Sequence, residues 1–412
     1  MYGDLHATSV RLNADPQFTG KGATIAFLDS GFYPHADLSG RIRFYHDIAG
    51  ERAALDVNDP IESWQWHGTQ TSVVAAGDGH LSGGVYSGLA HESQLVLVKV
   101  SENGRISEEN IARGIEWVVA NRACFNIRVL NISLGGDEDV PCTRSIIDQA
   151  AEEAIRNGIV VVAAAGNSGA EGRHSIPPAN SPSVITVGGY HDNNQLDGNS
   201  LDLYPSNFGP TADGTVKPEI VAPAKWVTAP ILPDTKDLTT HYQHVDGTSF
   251  AAPIVTSIAA QMIEANPQLT PGAIKNILIS TADRIAGASA IRQGYGVVNA
   301  RRAVELAQKE QHGLNTVGCS PPRVQNGDLM FVYHDDEARK VTLAGDFNRW
   351  NPALSPLTKD PSGLWLTKLA TPGPGSYQYK FVVDDRRWIE DPSNGMKVAD
   401  GFGGLNSVLV IR

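Results

Sequence analysis

Five short apolar runs constrain the first three hundred residues of this 412-residue chain more than any other feature. They are ATIAFLD (23–29), LVLVKV (95–100), IRVLNIS (127–133), IVVVAAAG (159–166) and SVITVGGY (183–190). Each is apolar throughout rather than alternating, as expected of a strand buried on both faces. Helical patterns such as NIARGIEWVVANR (110–122) and SIIDQAAEEAIRNG (145–158) lie between several of them. That alternation predicts an α/β fold, a parallel sheet with helices on both faces. Residues 276–282 and 301–311 read as closing helices. Ligands of such sheets bind outside the carboxyl ends of the strands, so the residues just after each run are the first to inspect.

Asp29 ends the first run, with Gly31 allowing a sharp exit, and Asn167 follows the fourth. His67 lies in Trp66-His67-Gly68-Thr69, at the head of the helix-like run QTSVVAAG. Ser249 sits in Asp246-Gly247-Thr248-Ser249-Phe250-Ala251-Ala252-Pro253, where a long apolar helix begins. The first turn of a helix has unpaired N–H groups and the positive end of the dipole, which favour developing negative charge. A serine hydroxyl is a weak nucleophile and needs a base. His67 suits that task, since imidazole titrates near neutrality. A carboxylate such as Asp29 behind the ring fixes its tautomer and stabilises the imidazolium. The Ser249 backbone N–H and the Asn167 amide are the candidate donors to a tetrahedral oxyanion.

The order Asp, His, Ser separates this arrangement from two other orders of the same triad. On these blocks the chain resembles the subtilisin-like serine peptidases. The resemblance extends to Asn131-Ile132-Ser133-Leu134-Gly135-Gly136, which looks like that family's substrate-binding strand. It also takes in Lys99-Val100-Ser101, Gly114 to Trp117, and Gly294-Tyr295-Gly296-Val297-Val298-Asn299-Ala300. It implies an endopeptidase acting on peptides or proteins. Ser133, Leu134, Gly135 and Gly136, with the backbone near Ala164, Ala165 and Gly166, are then expected to line the substrate pocket, and the loop from Glu171 to Pro178 to floor it. No cofactor is implied. Calcium stays open, because GDGHLSGGVYSG (77–88) differs from the calcium loop of secreted members and offers no identifiable ligands. No metal site is expected from His80, His91 and Asp78. The first strand begins so near Met1 that no propeptide is expected ahead of it in this form.

The net charge of −12 argues against a nucleic-acid footprint. No run is long enough to span a bilayer, and the first sixteen residues lack the basic and apolar regions of a secretory signal. Cys124, Cys142 and Cys319 are too few and too scattered for a disulfide scaffold. A cytoplasmic location is the expectation, and a secreted one if the sequence is a trimmed mature form.

The character changes after about residue 311. Residues 312–325, rich in Gly, Asn, Ser and Pro, read as a linker between a 1–311 peptidase domain and a 326–412 module. In that module DLMFVYH, KVTLAGDF, LWLTKLA, SYQYKFVVD and NSVLVIR are short strand-like runs separated by turns such as TPGPG. They predict a small all-β, immunoglobulin-like sandwich. Alternation puts Tyr377, Tyr379 and Phe381 on one face and turns Lys380 outward. LAGDFNRWN, YQYKFVVDDRRW, IEDP and LNSVLVI resemble the glycogen-binding module of the AMP-activated kinase β subunit and the starch-binding sandwiches of branching and debranching enzymes. The resemblance carries sugar contact to Trp350, Lys380, Trp388 and Asn406, with Phe402 where leucine is usual. It implies α-glucan or glycogen as a partner. Two other readings remain open at this point: an active peptidase whose sandwich is a spacer or docks protein, and an inactive peptidase fold serving as a scaffold.

Overall fold

The computed structural model describes residues 6–51, 54–56, 63–137, 140–169, 174–193, 201–231, 241–310, 322–325, 328–335, 338–360, 364–394, 397–402 and 404–411. The first domain is built on β1 (Thr24–Asp29), β2 (Ile42–Asp47), β3 (Gln94–Lys99), β4 (Ile127–Ile132), β5 (Val160–Ala164), β6 (Ile185–His191), β7 (Asp202–Leu203) and β10 (Ile220–Pro223). A separate hairpin, β8 (Gly209–Pro210) and β9 (Val216–Lys217), precedes β10. The sheet order is β10-β6-β5-β4-β1-β3-β2, all parallel, with β7 added antiparallel on β6. All five runs picked out in the sequence are strands of this sheet, and β1 lies near its centre.

The pleat divides the apolar residues between two cores. Ile25, Phe27, Leu95 and Leu97 face helices α1 (Ser63–Ala76), α4 (Thr248–Ala265), α5 (Pro271–Ser280) and α6 (Ala300–Lys309). Ala26, Leu28, Val96 and Val98 face α2 (Glu108–Phe125) and α3 (Ile146–Arg156). Both faces are covered, as an all-parallel sheet requires. Ser107, Ser145 and Thr270 accept from the backbone N–H three residues on and so start α2, α3 and α5. The closing helices differ from the expectation. α5 opens at Pro271, not 276, because Thr270 caps it and proline is favoured in its first turn. α6 runs 300–309, and Gln311 lies outside the described residues.

The second domain is a pair of antiparallel sheets. One contains β11 (Arg323–Gln325), β12 (Asp328–His334), β15 (Leu364–Ala370) and β14 (Thr358–Lys359), in that order. The other runs β13 (Val341–Gly345), β16 (Gly375–Val383), β19 (Leu405–Ile411), β18 (Lys397–Ala399), with β17 (Arg387–Ile389) also on β16. Phe331, Leu343, Tyr379 and Phe381 fill the space between them. The expected linker, 312–325, ends too late: Arg323–Gln325 already pairs with β12, so the sandwich starts there. Residues 311–321 lie outside the described ones.

Candidate active site and tryptophan cleft

β1 delivers Asp29 to the carboxyl edge of the sheet, where it is almost fully buried. α1 brings His67 to it, with Nδ1 2.7 Å from Asp29 Oδ1. His67 lies in the second turn of α1 rather than at its head. This approach requires Gly68: a Cβ there would sit 2.2 Å from the Gly31 carbonyl oxygen and 2.9 Å from Asp29 Cβ. The remaining capacity of the carboxylate is taken by the Ser30 N–H at 2.7 Å and the Thr71 hydroxyl at 3.1 Å. Nδ1–H therefore donates to Asp29, and Nε2 is left as the basic nitrogen. Burial pulls the imidazolium pKa down, but the charge of Asp29 and its hydrogen bond outweigh that, so it lies above the ordinary 6.5.

Ser249 is the second residue of α4. Pro253, four residues on, has no N–H to give the Ser249 carbonyl. The Ser133 hydroxyl supplies the donor instead, at 2.9 Å, and the Ser249 hydroxyl in turn donates to the Ser133 carbonyl at 3.3 Å. Behind them Asn131 donates to the Ser133 hydroxyl, and Thr256 donates to Asn131. The nucleophile candidate is thus pinned to the edge of β4. At 3.3 Å its own bond is long for a hydroxyl donor. The Asn167 carbonyl oxygen accepts from Thr248 N–H at 2.9 Å and from the Thr248 hydroxyl at 3.0 Å. Among the described residues its Nδ2 meets no acceptor, so the amide is oriented with its donor end unused.

Ser133 to Gly136 follow β4 and lie outside the strand. Gly136 N–H donates to the Pro177 carbonyl at 2.8 Å, and a Cβ on Gly135 would lie 2.6 Å from that oxygen. Gly166, at φ +99°, backs onto the Asn207 side chain, whose amide donates to the His174 carbonyl. Leu134 packs on the α2–α3 core, and the Ala165 N–H is held by Val187. Residues 171–173 of the loop expected to floor the pocket lie outside the described ones; of the remainder, the Pro177 carbonyl and then the Ile176 side chain come nearest Gly135.

In the sandwich, Trp350 and Trp388 lie 6.5 Å apart with ring planes at 26°. With Asp346, Gln378, Lys380, Asp400, Phe402 and Asn406 they line an open cleft of about 650 Å³. Asp346 sets the Trp350 ring by accepting from its Nε1 at 2.8 Å. Lys380 does point away from the tyrosine face, but it is not solvated as an outward lysine would be. It is 8% exposed, and its Nζ lies 2.6 Å from Asp400. The hydrogen bond from Lys380 and those from the Phe402 and Gly404 N–H groups push the Asp400 pKa down to about 2. Asn406 donates to Gln378 at 2.9 Å, which fixes which way its amide faces. Phe402 is 96% exposed at the cleft rim.

The model of the subtilase family matches residues 20–297. The chain belongs to the subtilase family. It is 34% identical over 320 residues to the serine protease AprX of Bacillus subtilis (strain 168), covering 73% of this chain and 70% of that protein. It is 30% identical over 292 residues to a subtilisin of Bacillus pumilus, covering 70% and 93%. Among solved structures, a protease of Pseudoalteromonas arctica PAMC 21717 superposes with a TM-score of 0.57 at 28% identity, over 73% of this chain and 93% of that one. The subtilase is accordingly a serine endopeptidase with a subtilisin-like sheet. Residues 328–412 match the glycogen recognition site of AMP-activated protein kinase.

The subtilase uses several residues that sequence reasoning passed over. Thr71 and Ser30 hold Asp29, Thr248 orients Asn167, and Asp346, Gln378 and Asp400 set the cleft. Only Thr71, one helical turn after His67, carried a spacing signal. The loop from Gly77 to Gly88 folds against Asp37, a fully buried carboxylate. Tyr242 donates to Asp37 at 2.6 Å and the Leu81 N–H at 3.2 Å. Calcium takes six to eight oxygen ligands. Among the described residues no group of three or more His, Cys, Asp or Glu side chains is placed to hold a metal. No helix among the described residues is long and apolar enough to cross a membrane.

Proposed function

We propose that the subtilase cleaves peptide bonds through an acyl-enzyme on Ser249, and that its sandwich takes linear α-glucan between Trp350 and Trp388. The observation that carries the first half is the 2.7 Å Asp29–His67 bond, with the His67 ring 5.7 Å from that of Phe250, the residue after Ser249 at a helix start. The Ser249 hydroxyl turns from the Ser133 carbonyl toward His67 Nε2, which takes its proton as Oγ attacks the scissile carbonyl. Leaving a 3.3 Å bond costs little, and such contacts commonly tighten only with substrate bound. The oxyanion is met by the Ser249 N–H and Asn167 Nδ2. His67 then passes the proton to the leaving amine, and water, activated in the same way, releases the acyl group. The substrate backbone runs between Ser133–Gly136 and Ala164–Gly166. A fluorophosphonate probe tests this directly: labelling should be lost in Ser249→Ala, and retained labelling would rule Ser249 out as the nucleophile.

The mechanism calls on no metal or cofactor. Since Asp37 is already satisfied by Tyr242 and Leu81, removing divalent cations with EDTA should leave peptide hydrolysis and its thermal inactivation unchanged. A loss restored by calcium would contradict this.

Glucan binding is supported by two stacked indoles that line one cleft with the Gln378 and Asn406 amides. Flat aromatic area meets the apolar face of a sugar ring while polar groups fix its hydroxyls. Replacing either tryptophan by alanine should weaken binding roughly tenfold, since losing about 60 Å² of apolar burial at about 25 cal/mol/Å² removes about 1.5 kcal/mol. Lys380→Ala should cost less, because Asp400 already engages the ammonium. Titration with maltoheptaose, followed by tryptophan fluorescence, checks both. A cleft that gives no saturable change at millimolar sugar would leave protein docking as the better role for the sandwich.

A further inference from the structure

Two features on separate elements relate the sandwich to the subtilase domain, one a close approach and one a buried side chain. One is the turn between β8 and β9. Gly214, at φ +77°, lies so close to β19 that a Cβ on it would stand 3.1 Å from the Val410 carbonyl oxygen. Positive φ and close approach both call for glycine there. The other is Tyr295, held between Gly294 (φ +58°) and Gly296 (φ +121°), with its N–H on the Glu219 carbonyl at 2.7 Å. Its ring packs on the larger apolar core of the subtilase domain. Its hydroxyl is buried and has no hydrogen-bond partner among the described residues.

That hydroxyl sits in the field of the sandwich. Burial, and then the Asp391 carboxylate, push its pKa well up, and Tyr295 in turn acts on Tyr379. Asp391 is 1% exposed and accepts from the Tyr379 hydroxyl at 2.7 Å and from Ser393 at 2.6 Å. Asn394 donates to the Tyr379 hydroxyl at 2.9 Å. Burying a hydroxyl without a partner costs free energy, which the apolar packing of the Tyr295 ring has to offset.

We propose that the sandwich is docked on the subtilase domain through this surface, with Tyr295 as anchor and Gly214 as the close-packed rim, rather than held by chain connectivity alone. Domains joined by small interfaces move freely by default. Here the docked surface gives the tryptophan cleft one fixed orientation to the active site. If the cleft binds glucan as proposed above, the peptidase then works at one set distance from the polysaccharide. The docking itself does not depend on that reading.

The test uses the full chain in a Ser249→Ala background, which prevents self-digestion during heating. Calorimetry should give one transition, coincident with that of tryptophan fluorescence. Gly214→Glu puts a Cβ 3.1 Å from the Val410 carbonyl oxygen, with a longer charged side chain beyond it. It should split the transition by more than about 4 °C and raise the radius of gyration in solution scattering. With Ser249 present, the same change should leave hydrolysis of a short peptide unaltered. Tyr295→Ala should split the transition as well. Two separated transitions in the parent would overturn the proposal, as would a Gly214→Glu protein with one transition and unchanged scattering. Should neither variant fold, the number of transitions in the parent decides. No step uses sugar, so failure of docking and failure of glucan binding are read separately.

Discussion

Ser249→Ala is expected to lower peptide turnover about 10⁶-fold with the fold intact, the scale known from subtilisin, and His67→Ala to do nearly the same. The two act as a unit, so the double variant should be little worse than either. Asp29→Asn should lose about 10⁴-fold, because an amide facing Nδ1 selects the wrong tautomer. The pH profile adds a second readout. Protonated His67 cannot accept the serine proton, so kcat/KM falls as pH drops through the His67 pKa. With Asp29 present that acid limb has its midpoint above 6.5. In Asp29→Asn burial acts without the opposing charge, and the limb of the residual activity should move to lower pH. Hydrolysis of a chromogenic peptide across pH 5–9 measures both effects. Wild-type turnover in Ser249→Ala would end the assignment.

Asn167→Ala should reduce kcat about 10²–10³-fold, a magnitude taken from the corresponding donor in subtilisin rather than from this structure. KM should barely move. The Asn167 carbonyl oxygen is held by Thr248, and in the proposed mechanism Nδ2 meets a charge that develops only in the transition state. Thr248→Val offers a graded control. It deletes the hydroxyl bond to Asn167 while keeping the backbone one, and should fall between wild type and Asn167→Ala. A variant of Asn167 with unchanged kcat and a raised KM would make the amide a substrate-binding group instead.

The sheet was legible because its strands are buried on both faces, and such strands read as unbroken apolar runs whatever their neighbours. The places of Asp29 and Asn167, at and just after strand ends, were legible for a related reason: ligands of such sheets gather where the runs end. His67 and Ser249 needed more, namely the glycines and small residues beside them. What sequence did not carry was pairing at long range. Nothing in the local pattern joins Lys380 to Asp400, twenty residues on, so the lysine read as solvated when it is engaged. The start of α5 was a different kind of miss, since Thr270-Pro271 is a local signal that the apolar periodicity outweighed. At 323–325 the Gly, Ser and Pro content of the preceding residues masked a strand that only its partner β12 reveals.

Pro253 imposes an inheritance rule on this site. Because it leaves the Ser249 carbonyl without a donor inside the helix, the serine at 133 becomes obligatory for reasons unrelated to substrate. The two positions cannot drift separately. Ser133→Ala strands a carbonyl, whereas Pro253→Ala gives it an intrahelical partner and lets the Ser133 hydroxyl go. An engineer moving the nucleophile onto another scaffold would have to transplant proline and serine together, although 120 residues of chain separate them.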